Sequence, residues 1–353
     1  MTGIFPLTLC ANTETSEPAE DPTLLDDWHV VGFSSDVAAG GLAAVRLLGR
    51  ELVVWRETSS GEVHVWEDLC IHRGSKLSRG WVKGDTIVCP YHGWHYDGTA
   101  QCTKVPATPR QTPPRKARAL PYRSVERYGF IWASLGNPPH DIPRFPEWDD
   151  DTFIKEHAGD YRWRTSGFRA VENFVDATHF PWVHSDVNGV QTEPDEIERY
   201  DVFRDQNGLR TSEIVVFQPY GDPRQVPVNA GYSYQVMRPL IAYFSKRVAV
   251  AEGASKHIDS PDRFCTYFTA QPVDDVNCII RICTARNFAP ELTRDDVLRR
   301  QDLVYMQDGE ICETQRPERI PLDLRQELHH NTDRLGAEYR RWLSEIGVSY
   351  GTS

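Results

Sequence analysis

The chain has 353 residues, room for two domains of ordinary size, and its 40% apolar and 11% aromatic content can fill two cores. A formal charge of −12 disfavours nucleic acid or an anionic membrane as partner, since both require clustered positive charge. No apolar run is long enough to span a bilayer, and eight scattered cysteines do not resemble a disulfide framework, so a cytoplasmic location is expected.

Residues 1–26 are expected to form a disordered tail: a short apolar run without a basic segment ahead of it passes into the acidic stretch Glu14–Asp27. From 27 to 145 the pattern predicts a small antiparallel domain, with β-like runs at His29–Phe33, Ala44–Leu48, Leu52–Trp55 and Val63–Trp66 and a closing strand at Gly129–Ala133. The proline-rich stretch Pro106–Pro121 suits neither helix nor central strand and is expected to cover the surface, and Gly136–Pro146 reads as a linker. The larger second domain, 146–353, opens with a helical segment from Phe168 to Val183. Strand-like runs follow at Tyr200–Phe203, Leu209–Phe217, Gly231–Val236, Ile241–Ala251, Arg263–Ala270 and Asn277–Arg286. Thr293 with Asp296 predicts the N-cap of a helix reaching about Gln315, and Ala337–Ile346 predicts a second amphipathic helix. The fold class is α+β, a β domain followed by an antiparallel sheet with helices.

Chemistry concentrates in two places. Cys70-Ile-His72 and Cys89-Pro-Tyr-His92 each pair one thiolate with one imidazole, the ligand set of a Rieske [2Fe–2S] centre. Zinc accepts the same donors, but Gly74 and Gly93 after each pair, and Pro90 within the second, favour tight loops clasping a cluster. In the second domain, His179 and His184 stand near carboxylates, as in the two-histidine, one-carboxylate arrangement that holds non-haem Fe(II). Their five-residue spacing does not stack on a regular helix, and Pro181 between them must end or distort it; structural histidines at a helix end are the alternative. The late helix offers Asp302, Asp308, Glu310 and Glu313. Only Asp308 shares a stripe with Val297, Gln301, Val304 and Ile311, whereas Asp302 and Glu310 fall on solvated faces.

With both motifs in order over nearly the whole chain, the sequence resembles the oxygenase component of Rieske non-haem iron oxygenases, whose pattern joins C-x-H/C-x-x-H to N-x-x-D-x-x-H-x-x-x-x-H. The resemblance implies a Rieske domain and a helix-grip catalytic domain. It places cluster ligands at Cys70, His72, Cys89 and His92, iron ligands at His179, His184 and Asp308, and catalytic roles at Asn173 and Asp176. The third iron ligand rests on Gln307-Asp308 through Glu313-Thr314-Gln315, with Gln307 where the family often has glutamate. The wording is closest to a monooxygenase and demethylase group that includes caffeine-type N-demethylases, dicamba monooxygenase and saxitoxin-pathway hydroxylases. These resemble homotrimers, in which the carboxylate matching Asp176 bridges to the second cluster histidine of a neighbouring subunit. No nucleotide-binding glycine fingerprint occurs, so a separate reductase, with or without a ferredoxin, is expected as electron donor. The implied activity is hydroxylation of a small aromatic or heterocyclic substrate with O₂, with loss of formaldehyde where the carbon is an O- or N-methyl. A cis-dihydroxylating dioxygenase uses the same metals, and a pure electron carrier needs only the first domain.

Overall fold

The computed structural model describes residues 17–251 and 258–353. Two antiparallel sheets build the first domain. A six-stranded sheet runs in the order His29–Phe33, Phe130–Ser134, Pro121–Arg127, Val63–Glu67, Arg50–Arg56 and Leu42–Leu47. A four-stranded sheet of short strands, Trp81–Lys83, Thr86–Val88, His95–Asp97 and Cys102–Lys104, carries the second cysteine–histidine loop between its second and third strands. Pro121–Arg127 lies where the proline-rich cover was expected to end. Its charges obscured a strand that returns to Phe130–Ser134 through Tyr128 and Gly129, both at positive φ as a tight hairpin turn requires.

The disordered-tail expectation fails for residues 17–26; residues 1–16 lie outside the described residues. Helix α1 (Pro22–Leu25) is capped by Asp21, whose other oxygen accepts the backbone N–H groups of Ser349 and Tyr350, tying the two ends of the chain together. Ala19 and Leu24 are buried, so this acidic-looking stretch is fixed by two apolar anchors and one buried cap. The expected linker also packs: Ile142 and Phe145 are buried, and Phe145 lies 5.2 Å from the Tyr267 ring.

An eight-stranded antiparallel sheet forms the second domain, in the order Ile154–Trp163, Cys278–Arg286, Arg263–Pro272, Ile241–Val250, Val228–Arg238, Gly208–Thr211 and Val202–Asp205, with Ile214–Gln218 also paired to Val228–Arg238. The single run expected over Leu209–Phe217 is thus two strands. Its break follows from Thr211, whose Oγ1 accepts the Tyr234 N–H in place of a ladder carbonyl, and from Ser212, bonded to Asp201. Backbone bonds from Leu48 to Pro272 and from Gly49 to Val273 join the domains.

Helices grip one face of this sheet. Helix α2 (Gly167–Phe174) lays Phe174 on Phe268 and Phe244, with ring centroids 4.3 and 5.3 Å apart. The expected helix to Val183 stops at Phe174 and restarts as the one-turn helix α3 (Phe180–Val183). Asp176 makes the break, since its carboxylate takes the N–H groups of Thr178 and His179. Pro181 then falls in the first turn of α3, where its missing N–H leaves no gap. Helix α4 (Arg294–Cys312) starts as predicted, with Thr293 and Asp296 capping reciprocally. Its buried stripe holds Val297, Gln301, Tyr305, Asp308 and Cys312, while Ile311 is exposed instead. Helix α5 (Arg334–Glu345) is tied to α2 by Arg340, whose guanidinium clamps both oxygens of Glu172 at 2.6 and 2.7 Å. The described cysteines are free and buried, and among the described residues no helix is long and apolar enough to cross a membrane.

Candidate metal centres

Two matching loops present the first donor set. In each, the amide four residues after the cysteine folds back on it: Gly74 N–H donates to the Cys70 carbonyl at 2.9 Å and Gly93 N–H to that of Cys89 at 3.0 Å. Both glycines have positive φ, 68° and 67°. The sulfurs are buried and the rings of His72 and His92 stand 4.6 Å apart. His72 lies flat on Trp94, at 4.4 Å and 7°, with its Nδ1 buried and without a hydrogen-bond partner. A buried, unsatisfied imidazole nitrogen beside two buried thiols is the donor arrangement a cluster requires, so these residues fit the group. Tyr96 Oη lies 3.1 Å from Cys70 Sγ, and burial, reinforced by Cys70, keeps that phenol protonated, so its O–H is available to the sulfur. Sequence reading missed Tyr96 and Trp94, although both follow the second motif within four residues.

The second set converges from three segments. His179 comes from the α2–α3 corner, His184 from the end of α3 and Asp308 from the buried stripe of α4. Nε2 of His179 is 3.3 Å from Nε2 of His184 and 3.4 Å from Asp308 Oδ1, which is 3.0 Å from Nε2 of His184. Each histidine is turned by its other nitrogen: Nδ1 of His179 lies 2.9 Å from Asp176 Oδ2 and Nδ1 of His184 lies 2.9 Å from Gln307 Oε1. Both Nε2 atoms are therefore free to face a common point. Asn173 donates to Asp308 Oδ1 at 3.3 Å.

Electrostatics favour a positive charge there. Burial alone lowers the pKa of His179, but the hydrogen bonds to Asp176 and Asp308 outweigh it and push it up to about 10. Burial opposes ionisation of Asp308, yet the two histidines hold it down at about 2. Three donors that stabilise a cation at their meeting point fit a divalent metal. Asp302 and Glu310 are exposed, and Glu313 is engaged by Arg164. An aromatic pocket borders the triad, walled by Phe174, Phe180, Phe244, Phe264, Val304 and Tyr305. A roomier cavity between the domains, lined by Arg46, Asp160, Arg162 and Arg281 among others, contains none of these ligands.

A cluster-binding β domain followed by a helix-gripped sheet with two histidines and a carboxylate beside an aromatic pocket defines an iron oxygenase fed by an electron relay. Residues 27–126 match the Rieske [2Fe–2S] domain and residues 163–348 the vanillate O-demethylase oxygenase C-terminal domain. Methylxanthine N1-demethylase NdmA of Pseudomonas putida is 31% identical over 334 residues, covering 90% of this chain and 88% of that protein. The structure of NdmA from Pseudomonas putida CBB5 with caffeine superposes with a TM-score of 0.77 at 28% identity, over 92% of this chain and 91% of the other. Oxidoreductase NdmD of Pseudomonas putida is 40% identical over 116 residues, 33% of this chain and 20% of that protein. The chain belongs to the Rieske non-haem iron oxygenases as an oxygenase component of the monooxygenase and demethylase type, carrying a Rieske cluster and a mononuclear iron.

Proposed function

We propose that this oxygenase receives electrons from a separate reductase and inserts one oxygen atom of O₂ into a C–H bond of a small aromatic or heterocyclic ring compound. The other oxygen leaves as water, with two electrons and two protons supplied. Where the carbon is an O- or N-methyl, the hydroxymethyl product loses formaldehyde and the methyl is removed. When bound, the iron supplies the oxygen chemistry and the cluster relays single electrons. Cys70, His72, Cys89 and His92 hold the cluster, and His179, His184 and Asp308 hold the iron. The observation that carries the reading is the convergence of the three iron-site donor atoms within 3.0–3.4 Å of one another at the wall of an aromatic pocket. Phe174 and Phe244 stack into that wall and exclude water, Asn173 fixes the Asp308 carboxylate, and Gln307 fixes the His184 ring.

Electrons pass between chains of a homotrimer in this reading, from His92 of the partner subunit through Asp176 to His179. Supporting this, His92 is exposed and, among the described residues, neither cluster histidine bonds to the catalytic domain. Apolar side chains lie open near both ends of the route, Ile71 and Tyr91 next to the cluster histidines in the chain and Ile311 in the cavity that Asp176 also lines. Metal analysis and product analysis test the proposal together: three irons per chain, with a hydroxylated or demethylated product and one water per O₂. Two irons and no oxygenated product leave only an electron carrier, and a cis-diol product assigns dioxygenation instead.

A further inference from the structure

The pocket beside the iron ligands has a second polar end. Strand register builds it: Lys246 on Ile241–Val250 lies opposite Tyr232 on one neighbour and Phe264 on the other, and Phe244 lies opposite Tyr234. Because alternate residues share a face, these side chains form one patch facing the cavity. The Lys246 ammonium is buried above the Tyr232 and Phe264 rings and donates to Gln218 Oε1 and the Gly221 carbonyl. Across the cavity, Arg300 on α4 donates to Asn188 Oδ1 through Nη2, while its Nε is buried without a partner.

Neither cation has a carboxylate in ion-pair reach among the described residues. Asp222, whose charge bears on both, is taken by Arg224 through two bonds of 2.7 and 2.9 Å. The hydroxyl of Tyr234 is buried without a partner, and that of Tyr232 accepts from Gln218, leaving its proton free. Burial keeps both phenols protonated at neutral pH. This end therefore offers two cations and two phenol protons, and the amide oxygens bonded to the cations, on Asn188 and Gln218, are already used. Burial, reinforced by the charge of Arg300, pushes Lys246 down to about 7, and Arg300 is lowered by burial as well, so a negative guest relieves both.

Arg300, Val304 and Asp308 follow one helical face at intervals of four residues, which puts Arg300 about 12 Å from Asp308 along α4 at 1.5 Å per residue. Arg300 thus lies about two turns of α4 from Asp308, with Val304 between them on the same pocket wall. We propose, resting on the oxygenase reading, that Lys246, Arg300, Tyr232 and Tyr234 bind the carboxylate of an aromatic acid whose far substituent is the carbon presented to His179, His184 and Asp308.

Anaerobic calorimetric titration of the iron-loaded holoenzyme tests this with benzoate, 3-methoxybenzoate and 4-methoxybenzoate against 4-methoxybenzamide and caffeine. At least one acid binds roughly tenfold or more tighter than the amide and caffeine, a charge-assisted hydrogen bond replacing a neutral one. Lys246→Met and Arg300→Met each weaken the acid by a similar factor and leave the amide unchanged, with iron content and cluster absorbance as in wild type. Arg300→Gln serves if Arg300→Met fails to fold. The proposal is overturned if no acid binds, if the amide or caffeine binds as tightly as the best acid, or if the substitutions leave acid affinity unchanged. An enzyme with three irons per chain that consumes O₂ only with neutral heterocycles keeps the oxygenase reading and loses this one.

Discussion

Lys246 should reveal its role through stability as well as binding. Its pKa falls from 10.5 to about 7 because burial, then the charge of Arg300, outweighs Asp222. At about 1.4 kcal/mol per pH unit, the folded protein bears a cost on the order of 5 kcal/mol for this one side chain. Lys246→Met removes that cost but strips donors from Gln218 Oε1 and the Gly221 carbonyl, a loss of about 1 kcal/mol or slightly more each. The net expectation is a gain of roughly 1–3 kcal/mol at pH 6, since measured burial costs fall below such upper figures. The sign with pH follows from linkage: between about 7 and 10.5 the unfolded chain binds the proton and the folded chain does not, so the lysine's destabilisation is full below 7 and fades as pH rises to 10.5. The advantage of the variant should therefore shrink by about 3 kcal/mol between pH 6 and pH 9. Urea unfolding of both proteins at the two pH values measures it. A variant less stable than wild type at pH 6, or an advantage independent of pH, refutes the picture of an uncompensated buried cation held for a ligand.

His72→Ala or His92→Ala should abolish the Rieske absorbance and EPR signal, whereas Asp308→Ala should leave them intact and lower mononuclear iron occupancy at least tenfold; full occupancy would remove Asp308 from the ligand set. Arg115 and Lys116 are exposed on the basic loop that also places Pro106 against Gly93 of the cluster loop. Reversing both to Glu should slow reduction by an acidic donor about tenfold at low salt, with the difference vanishing near 0.5 M salt in stopped-flow traces. Asp176→Asn should fill both metal sites yet slow cluster oxidation roughly 10–100-fold in single-turnover mixing with O₂, because it weakens the acceptor on His179. Wild-type rates in that variant mean that electrons take another route.

Motif spacing and helix caps were legible because they are local: Thr293 and Asp296 close their box within four residues, and Asp308 stands out as a carboxylate on an apolar stripe. The break after α2 was placed five residues too late because Pro181 is conspicuous, whereas Asp176 ends the helix by side-chain bonds that its residue type allows without requiring. Strand Ile154–Trp163 went unread since Glu156 and Asp160 make it look solvated, although Arg286 and Arg281 neutralise both from the neighbouring strand. A signal for the pocket was present in Ala242, Phe244, Lys246 and Val248, one face of a strand with a lysine in an apolar row. Its meaning depends on Tyr232 and Arg300, which only register and helix placement bring together.

The two kinds of residue around the pocket sit on different supports. The proposed iron-site donors come from the α2–α3 corner and α4, each oriented by a side chain of the same helical layer: Asp176, Gln307 and Asn173. Phe244, Phe264, Tyr232, Tyr234 and Lys246 belong to the sheet, whose backbone ladder is satisfied whatever side chain a position carries. Exchanging a residue on that face alters the shape and charge offered to a ring without loosening any hydrogen bond that aims a ligand nitrogen. Arg300 is the exception, because it rides on the same helix as Asp308. Moving that helix to suit a different substrate would move the proposed iron ligand Asp308 too, so changes in ring specificity should come from the strands first and from α4 last.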